Sequence, residues 1–224
     1  MKNFIHFSEV TKMPCSCWSI PSALCITGQK LIREGAIKNI PYVCRVCYTH
    51  QGPTRFRDCQ SLLWQNFEGY SAHPHKWVLA MTKALLRSNA LYFRWFHSGD
   101  LQDAEMLLNI LEVAIRNPRI QFWLPTQERD FVELIAPTTP IPRNLNIRIT
   151  SSIIDVIPQN NNTPGVTESM VCYNQPITCP AHKQGHWCNT CRICWNRDIA
   201  LVAYPLKSGR NYWPRQTATR LGLI

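Results

Sequence analysis

The chain has 224 residues, 45% of them hydrophobic, which is enough to bury one sizeable core, so a single domain (1–224) is expected. Lysine and arginine exceed aspartate and glutamate by ten, and this balance predicts a polyanionic partner, namely nucleic acid and in particular DNA. The sequence contains neither a signal-peptide core nor the roughly 18 uninterrupted apolar residues of a membrane helix, which predicts a cytoplasmic protein without membrane contact.

The first region, residues 11–52, is rich in cysteine. Proline and glycine punctuate it, so we expect mostly loop, with one short apolar strand at 40–46. A Cys-x-x-Cys pair stands at the end of that run, and earlier cysteines are free to fold back onto it. The possible ligands of such a second metal site are Cys17, Cys25, Cys44 and Cys47. The alternative is that these cysteines are small buried hydrophobic residues in a loop-rich cap.

The middle of the chain alternates helix and strand patterns. The predicted elements are helices at 55–68 and 74–88, a strand at 91–96, a helix at 101–115, a strand at 120–124, a helix at 127–136 and strands at 145–150, 169–173 and 199–204. A repeated βα unit predicts a parallel sheet, with its centre in residues 91–157. The fold class expected is α/β, as a partial or degenerate (βα) barrel of about six parallel strands with Cys-rich metal-binding loops.

Polar residues follow several of these strands, where a parallel sheet builds its active site. They are Cys44 and Cys47, the segment His97-Ser98-Gly99-Asp100, the segment Thr126-Gln127-Glu128, and the segment from Ser151 to Asp155. Asp100 has a simpler interpretation as the N-cap of the following helix.

A second cysteine region, 172–197, contains the run from Cys179 to Trp195, which we call the knuckle. Two consecutive Cys-x-x-Cys steps predict a metal site, with zinc as the default and an iron–sulfur cluster as the rival. The predicted ligands are Cys188, Cys191 and Cys194, with a fourth from Cys179, His182 or His186. A disulfide or a set of buried thiols is the remaining alternative.

The tail at 207–224 is basic with interleaved aromatic residues. Arg210, Trp213 and Arg215 are candidates for nucleic-acid contact, through phosphates and base stacking respectively. A tail that packs Trp213 on the core is the alternative.

Three motifs together resemble a known family. They are Cys-x-x-Cys-Tyr (Cys44 to Tyr48), Phe-Arg-x-x-His-Ser-Gly-Asp (Phe93 to Asp100) and the knuckle, which precedes a final Ile-Ala-Leu-Val-Ala-Tyr strand. This combination resembles the bacteriophage "gene product 88" family over residues 14–205. The resemblance implies a phage protein in the cytoplasm of a bacterial host and no particular chemistry.

A more distant similarity is to the tRNA-guanine transglycosylases and their phage DNA counterparts, which are barrel enzymes with a structural zinc. His97-Ser98-Gly99-Asp100 resembles their Asp-Ser-Gly-Gly base-binding loop, with His97 in place of the first aspartate. The resemblance implies a pentosyltransferase that exchanges guanine for a 7-deazaguanine base in DNA. Asp100 would contact the base or transfer a proton, Asp155 would attack the sugar, and His97, Ser98 and Gly99 would bind substrate.

Two other functions compete with base exchange. Cys44-Arg-Val-Cys47-Tyr48 is similar to the last half of the cluster motif of radical S-adenosylmethionine enzymes, and this resemblance implies a [4Fe-4S] cofactor. Ile40 stands where the first cysteine of that motif belongs, so Cys17 or Cys25 would have to supply the missing ligand. The third possibility is a non-catalytic, metal-stapled nucleic-acid-binding protein. Base exchange is preferred at this point because it uses the knuckle, both aspartates and the positive charge together.

Overall fold

The fold is a single seven-stranded sheet whose strands lie in the order in which they occur along the chain. This computed structural model describes residues 4–50, 53–159 and 163–206. The strands are β1 (Ser8–Glu9), β2 (Ser16–Trp18), β3 (Tyr92–Trp95), β4 (Gln121–Thr126), β5 (Leu145–Thr150), β6 (Val166–Cys172) and β7 (Leu201–Pro205).

Strands β2 to β7 are parallel, and only the short β1 pairs antiparallel with β2. The predicted number of about six parallel strands is therefore confirmed, with β2 in place of the strand expected at 40–46. Within the part of the chain that the structure describes, β1 and β7 each have one neighbour, so the sheet is open and no closed barrel is formed.

In the part of the chain that the structure describes, five α-helices lie in the connections between β2 and β5. They are α1 (Ile26–Lys38), α2 (Arg57–Ala72), α3 (Pro74–Ser88), α4 (Ala104–Arg116) and α5 (Arg129–Ile135). The helical stripes read from the sequence account for α2 to α5, and Pro74 occupies the first turn of α3, where its missing amide hydrogen costs nothing. Asp103 caps α4 by accepting the amide hydrogen of Met106 at 2.7 Å, so the prediction that Asp100 is this cap is wrong.

The main core lies between one face of the sheet and helices α2 to α5. Its largest members are aromatic: Trp18 on β2, Trp77 on α3, and Phe93 and Trp95 on β3, each with no exposed surface. The ring centroids of Trp18 and Trp77 lie 5.1 Å apart, edge to face. Alternate residues of β3 therefore point to this core, and the residues between them point to the opposite face.

The sequence interpretation of residues 11–52 is wrong in two respects. The run at 40–46 forms no strand: it makes one isolated bridge, between Tyr42 and Ile153, and a 3-10 turn at Val43–Val46. Pro41 offers no amide donor, and the amide of Val43 bonds instead to the carbonyl of Ser152 at 2.8 Å. The first parallel strand is β2, whose three residues are too few for a readable pattern.

The second error concerns α1, because the glycines of this segment predicted a loop where the structure has a helix. Gly28 and Gly35 are buried on the same side of α1 as Leu31, and a Cβ on Gly35 would lie 2.9 Å from the carbonyl oxygen of Ile40. These glycines therefore allow close packing of the helix against residues 40–45.

The second face of the sheet is polar and is covered by the knuckle. Arg148 on β5, which has no exposed surface, donates to the carbonyls of Glu168 at 2.6 Å, Ile193 at 3.2 Å and Asn196 at 3.3 Å. Trp195 donates its indole hydrogen to the carbonyl of Phe93 at 2.9 Å. The knuckle is thus an integral layer of the fold. None of the helices in the described ranges is long and apolar enough to span a bilayer.

Candidate functional site at the carboxyl edge of the sheet

Three cysteines come together beyond the carboxyl end of β2. Cys25 is the N-cap residue of α1, and a Cβ built on Gly28, one turn into that helix, would lie 3.9 Å from the Sγ of Cys25 and 3.7 Å from that of Cys44. Cys47 follows Cys44 through the 3-10 turn, and its Sγ lies 3.1 Å from the hydroxyl of Thr49. We call Cys25, Cys44 and Cys47 the edge thiols.

Burial raises the pKa of two of the edge thiols, Cys25 and Cys44. Desolvation is the largest cause for both, and it raises the pKa of Cys44 to about 12 and that of Cys25 further above its ordinary value. Every charged neighbour that contributes is itself an acid: the other thiols, Asp100 and Glu128. The edge thiols therefore form a partly buried cluster, the edge pocket, in which negative charge is unfavourable unless a cation enters.

Asp100 is the most perturbed carboxyl of this edge. Burial raises its pKa to about 7, with a smaller contribution from the nearby Glu128. Three donors oppose that shift: the Thr126 hydroxyl at 2.6 Å and the amides of Gln127 and Leu101, both at 2.8 Å. Asp100 is thus fixed against the end of β4 and can exchange a proton near neutral pH.

Glu128 anchors α1 to this edge. Its two carboxylate oxygens accept the amide hydrogen of Thr27 at 2.9 Å and the Thr27 hydroxyl at 2.7 Å. A carboxylate in this position satisfies a donor of the helix N-terminus and stabilises its positive end. This contact holds Cys25 beside the ends of β3 and β4.

Tyr48 anchors the loop that carries Cys44 and Cys47. Its hydroxyl donates to the carbonyl of His97 and accepts a bond from Arg94 at 3.1 Å. Arg94 also lies 3.4 Å from the Nδ1 of His97 and 4.5 Å from the centroid of the Trp123 ring. The tyrosine of the Cys-x-x-Cys-Tyr motif therefore ties the thiol loop to the end of β3.

The loop His97-Ser98-Gly99 is shaped mainly by backbone requirements. The hydroxyl of Ser19 accepts the amide hydrogens of His97 at 2.9 Å and Ser98 at 3.4 Å. Gly99 has φ 82°, and a Cβ there would approach the Ile20 carbonyl oxygen to 2.7 Å. The Ser98 hydroxyl is buried without a hydrogen-bond partner in the described structure. Substrate binding by these residues stays a prediction.

Asp155 lies beyond β5 with φ 62°, and its carboxylate organises the segment after β6. It accepts the amide hydrogens of Tyr173 at 2.7 Å, Asn174 at 2.9 Å and Gln175 at 3.2 Å. Asp100 instead accepts hydrogen bonds at the end of β4, so the two predicted catalytic aspartates hold different loops in place. A nucleophilic role for Asp155 stays a prediction.

The knuckle lies against the polar face of the sheet, away from the edge thiols. Cys194 lies 3.1 Å from the Tyr204 hydroxyl, and burial raises its pKa to about 12, with Arg148 and Arg94 opposing the shift. Cys179 is also among its charged neighbours, which favours Cys179 as the fourth member of the group. His182 directs its Nδ1 to the Cys179 carbonyl at 2.7 Å.

Cys15 is a further thiol near the knuckle that sequence spacing did not reveal. It packs against the cluster of Trp123, Cys194 and Trp195, and the amide of Cys188 bonds to the Lys12 carbonyl at 2.9 Å. The only available signal was another cysteine at a distant position, and spacing alone cannot assign such a residue to a group.

Neither cysteine region is arranged as a complete metal site. Within residues 4–50, 53–159 and 163–206, no group of three histidine, cysteine, aspartate or glutamate side chains has the geometry to hold a metal ion. No disulfide is formed in these ranges, so the disulfide alternative is wrong there. The zinc and iron–sulfur assignments stay predictions. Arg210, Trp213 and Arg215 lie outside the described residues.

An open, mostly parallel α/β sheet with a cysteine-rich carboxyl edge defines the structural class of this protein. A family model described as Gene product 88 matches residues 12–197, so the chain belongs to this bacteriophage protein family. Comparisons with curated proteins and with solved structures found no match.

Proposed function

We propose that this protein is an iron–sulfur enzyme of the radical S-adenosylmethionine type, with the edge thiols Cys25, Cys44 and Cys47 as the cluster ligands. One observation carries the proposal: these cysteines all belong to the connection after the first of six sequentially ordered parallel strands, and they lie together, partly buried, at the carboxyl edge. That is the location implied by the Cys44-Arg-Val-Cys47-Tyr48 resemblance. Cys25, brought in by α1, replaces the cysteine missing at Ile40.

The residue types of the edge pocket suit a cationic, thiol-binding group, although the side chains are not arranged as a complete metal site. Soft thiolates are the ligands of iron–sulfur clusters. Because the charged neighbours of Cys25 and Cys44 are acids, deprotonated thiols gain a favourable partner only when positive iron enters. Cys25, Cys44 and Cys47 would hold such a cluster, and its chemistry would be reductive cleavage of S-adenosylmethionine with an electron supplied by an external reductant.

The surrounding residues have separate roles in this proposal. Glu128 holds the N-terminus of α1, and with it Cys25, while Tyr48 holds the loop of Cys44 and Cys47. Asp100, with a pKa of about 7, takes up or releases a proton as the charge of the pocket changes. The knuckle, clamped by Arg148 and Trp195, has a structural role.

The test is iron and labile sulfide analysis, with visible absorption spectra, on protein purified without oxygen. We expect a brown protein that cleaves S-adenosylmethionine when dithionite is supplied. Single replacements Cys25→Ala, Cys44→Ala and Cys47→Ala should each remove the iron and the colour. Cys59→Ala, on α2, is the matched control and should keep both. A colourless protein that holds no iron after anaerobic reconstitution would refute the proposal.

Guanine exchange in DNA is the second candidate, and the buried Asp100 with its pKa of about 7 favours it, because a general acid and base needs such a value. The three amide bonds to Asp155 weigh against that residue as a nucleophile. Incorporation of labelled guanine into DNA by the native protein, lost in Asp100→Ala and in Asp155→Ala, would support this function over the first.

A further inference from the structure

The opposite, amino edge of the sheet contains an open groove of about 670 Å³. It lies where β3 and β4 begin and where the chain leaves the knuckle. Arg143, Arg192 and Arg197 line it, with Asp198 as the single acidic residue in its wall. The wall therefore carries an excess of positive charge. None of these three arginines takes part in the salt bridges found among the described residues.

Arg192 is held in a fixed position. Its Nη1 donates to the carbonyls of Asn189 at 2.7 Å and Cys191 at 2.8 Å, and its guanidinium lies 4.9 Å from the ring centroid of Tyr92. Both bonds use the same nitrogen, so they leave its other donors for a ligand. Preorganised guanidinium groups of this kind are suited to phosphate, which they bind through charge-assisted hydrogen bonds.

Arg143 and Arg197 place two like charges near each other on the same wall. Arg197 donates to the Pro142 carbonyl at 3.0 Å, and burial lowers its pKa, with Arg143 as the next contribution in the same direction. Arg143 is exposed. Two arginines held together beside a single aspartate repel each other unless an anion lies between them.

We propose that this groove binds the sugar–phosphate backbone of a nucleic acid. An open groove with several arginines fits a chain of phosphates better than a small enclosed anion, and the excess of ten basic residues attracts such a chain from a distance. The inference does not rest on the proposed cluster, because the two sites lie at opposite edges of the sheet. It places the contact in the described fold rather than only in the tail beyond residue 206.

The test measures fluorescence anisotropy of a labelled single-stranded DNA oligonucleotide at several salt concentrations. The triple variant Arg143→Gln, Arg192→Gln, Arg197→Gln should reduce the slope of log affinity against log salt by about 2, since each lost phosphate contact on a single strand contributes ~0.7. At moderate salt the binding should weaken by about tenfold or more. Iron content, measured on the same samples, should be unchanged.

The matched control removes the same charge elsewhere, through Arg33→Gln, Arg57→Gln and Arg87→Gln, three exposed arginines on α1, α2 and α3. It should retain most of the slope. Equal losses in the two triple variants would overturn the groove, because only net charge would then matter. If the groove variant is insoluble, Arg143→Glu replaces it, since Arg143 is exposed, and unaltered DNA binding by that variant refutes the proposal. If polyglutamate bound the groove as DNA does, the proposal would also be overturned, because the groove would then recognise negative charge rather than phosphate.

Discussion

The edge thiols and the knuckle use the same Cys-x-x-Cys spacing in opposite electrostatic surroundings. The neighbours that shift the pKa of Cys25 and Cys44 are acids, whereas Cys194 has Arg148 and Arg94 beside it, and both lower its pKa against the effect of burial. Negative charge on the knuckle thiols is therefore partly balanced by the protein itself. Negative charge on the edge thiols has no such balance, so ionisation of these thiols should depend more strongly on an added cation than ionisation of the knuckle thiols does.

The two regions also differ in how they are attached to the fold. The knuckle is clamped by backbone carbonyls bonded to Arg148 and by the indole of Trp195. The edge thiols are placed by two side chains at the rim, Glu128 and Tyr48. This contrast distinguishes an element clamped into the fold from a candidate site at its rim, and each prediction below tests a part of it.

The largest effect is expected from Cys191→Ser in the knuckle. If the knuckle holds a structural zinc, its loss removes folding free energy on the order of 10 kcal/mol. We expect insoluble or unfolded protein by circular dichroism, while Cys59→Ser remains soluble. Soluble Cys191→Ser protein with an unchanged melting temperature would contradict a structural metal in the knuckle, and the contrast with the edge thiols would no longer hold.

Trp195→Ala should be the next in size. Truncation of a buried tryptophan costs roughly 3–5 kcal/mol, and loss of the bond to the Phe93 carbonyl adds about 1 kcal/mol. Urea unfolding measures the change. The control is Trp187→Ala, a half-exposed tryptophan of the same segment, for which we expect about 1 kcal/mol or less. Similar losses of unfolding free energy in both variants would mean that the buried Trp195 stabilises the fold no more than the exposed Trp187 does.

The pH dependence of stability tests the edge pocket. The folded-state pKa of Asp100, about 7, lies above its ordinary 3.8, so the neutral form is favoured by folding. This stabilisation is complete below pH 3.8 and is lost as the pH rises to about 7, a difference of about 4 kcal/mol. Urea unfolding of metal-free protein across this range should therefore show a decline that Asp100→Asn lacks.

Parallel curves for the native protein and Asp100→Asn would show that Asp100 ionises without cost. The same series after iron reconstitution sharpens the comparison between the regions. A cation bound near Asp100 favours its charged form, so the decline should shrink. Zinc added to the knuckle alone should leave the decline unchanged.

The smallest effects are expected from removing single hydroxyls. Tyr48→Phe leaves the His97 carbonyl and an Arg94 donor without their partner, which costs about 1–3 kcal/mol and should weaken iron retention at the edge. Tyr204→Phe removes the contact to Cys194 and should affect the knuckle only. Metal analysis of both variants provides the crossed control, since loss of iron in Tyr204→Phe would show that the regions are coupled.

Long elements with regular patterns could be predicted from the sequence, and short ones could not. Helices α2 to α4 and strands β3 to β5 carry complete hydrophobic periods, so their existence follows from local sequence. Strand β2 has three residues, Ser16–Trp18, and is held by pairing with β3, far away in the chain. It is a strand because it pairs with β3, and the local sequence does not reveal this partner.

The candidate site shows the same division. The cysteines and Asp100 were recognisable by residue type, but the contact between Cys25 and the Cys44 loop depends on α1 and on the small size of Gly28. Glycine has two opposite uses, in turns and in close helix packing, and the sequence does not distinguish them. The hydrogen bond that Thr27 donates to Glu128, across 101 residues, is a tertiary contact of the kind that spacing cannot predict.

The order of the strands has a consequence for how the chain is made. Since each strand from β3 onward pairs with the one synthesised just before it, the sheet can grow one βα unit at a time as the polypeptide emerges from the ribosome. The bond from Trp195 to Phe93 spans 102 residues and must form late. Until the knuckle has been translated, the guanidinium of Arg148 has no carbonyls from it to bind, so that face of the nascent sheet should stay hydrated until the knuckle emerges and covers it.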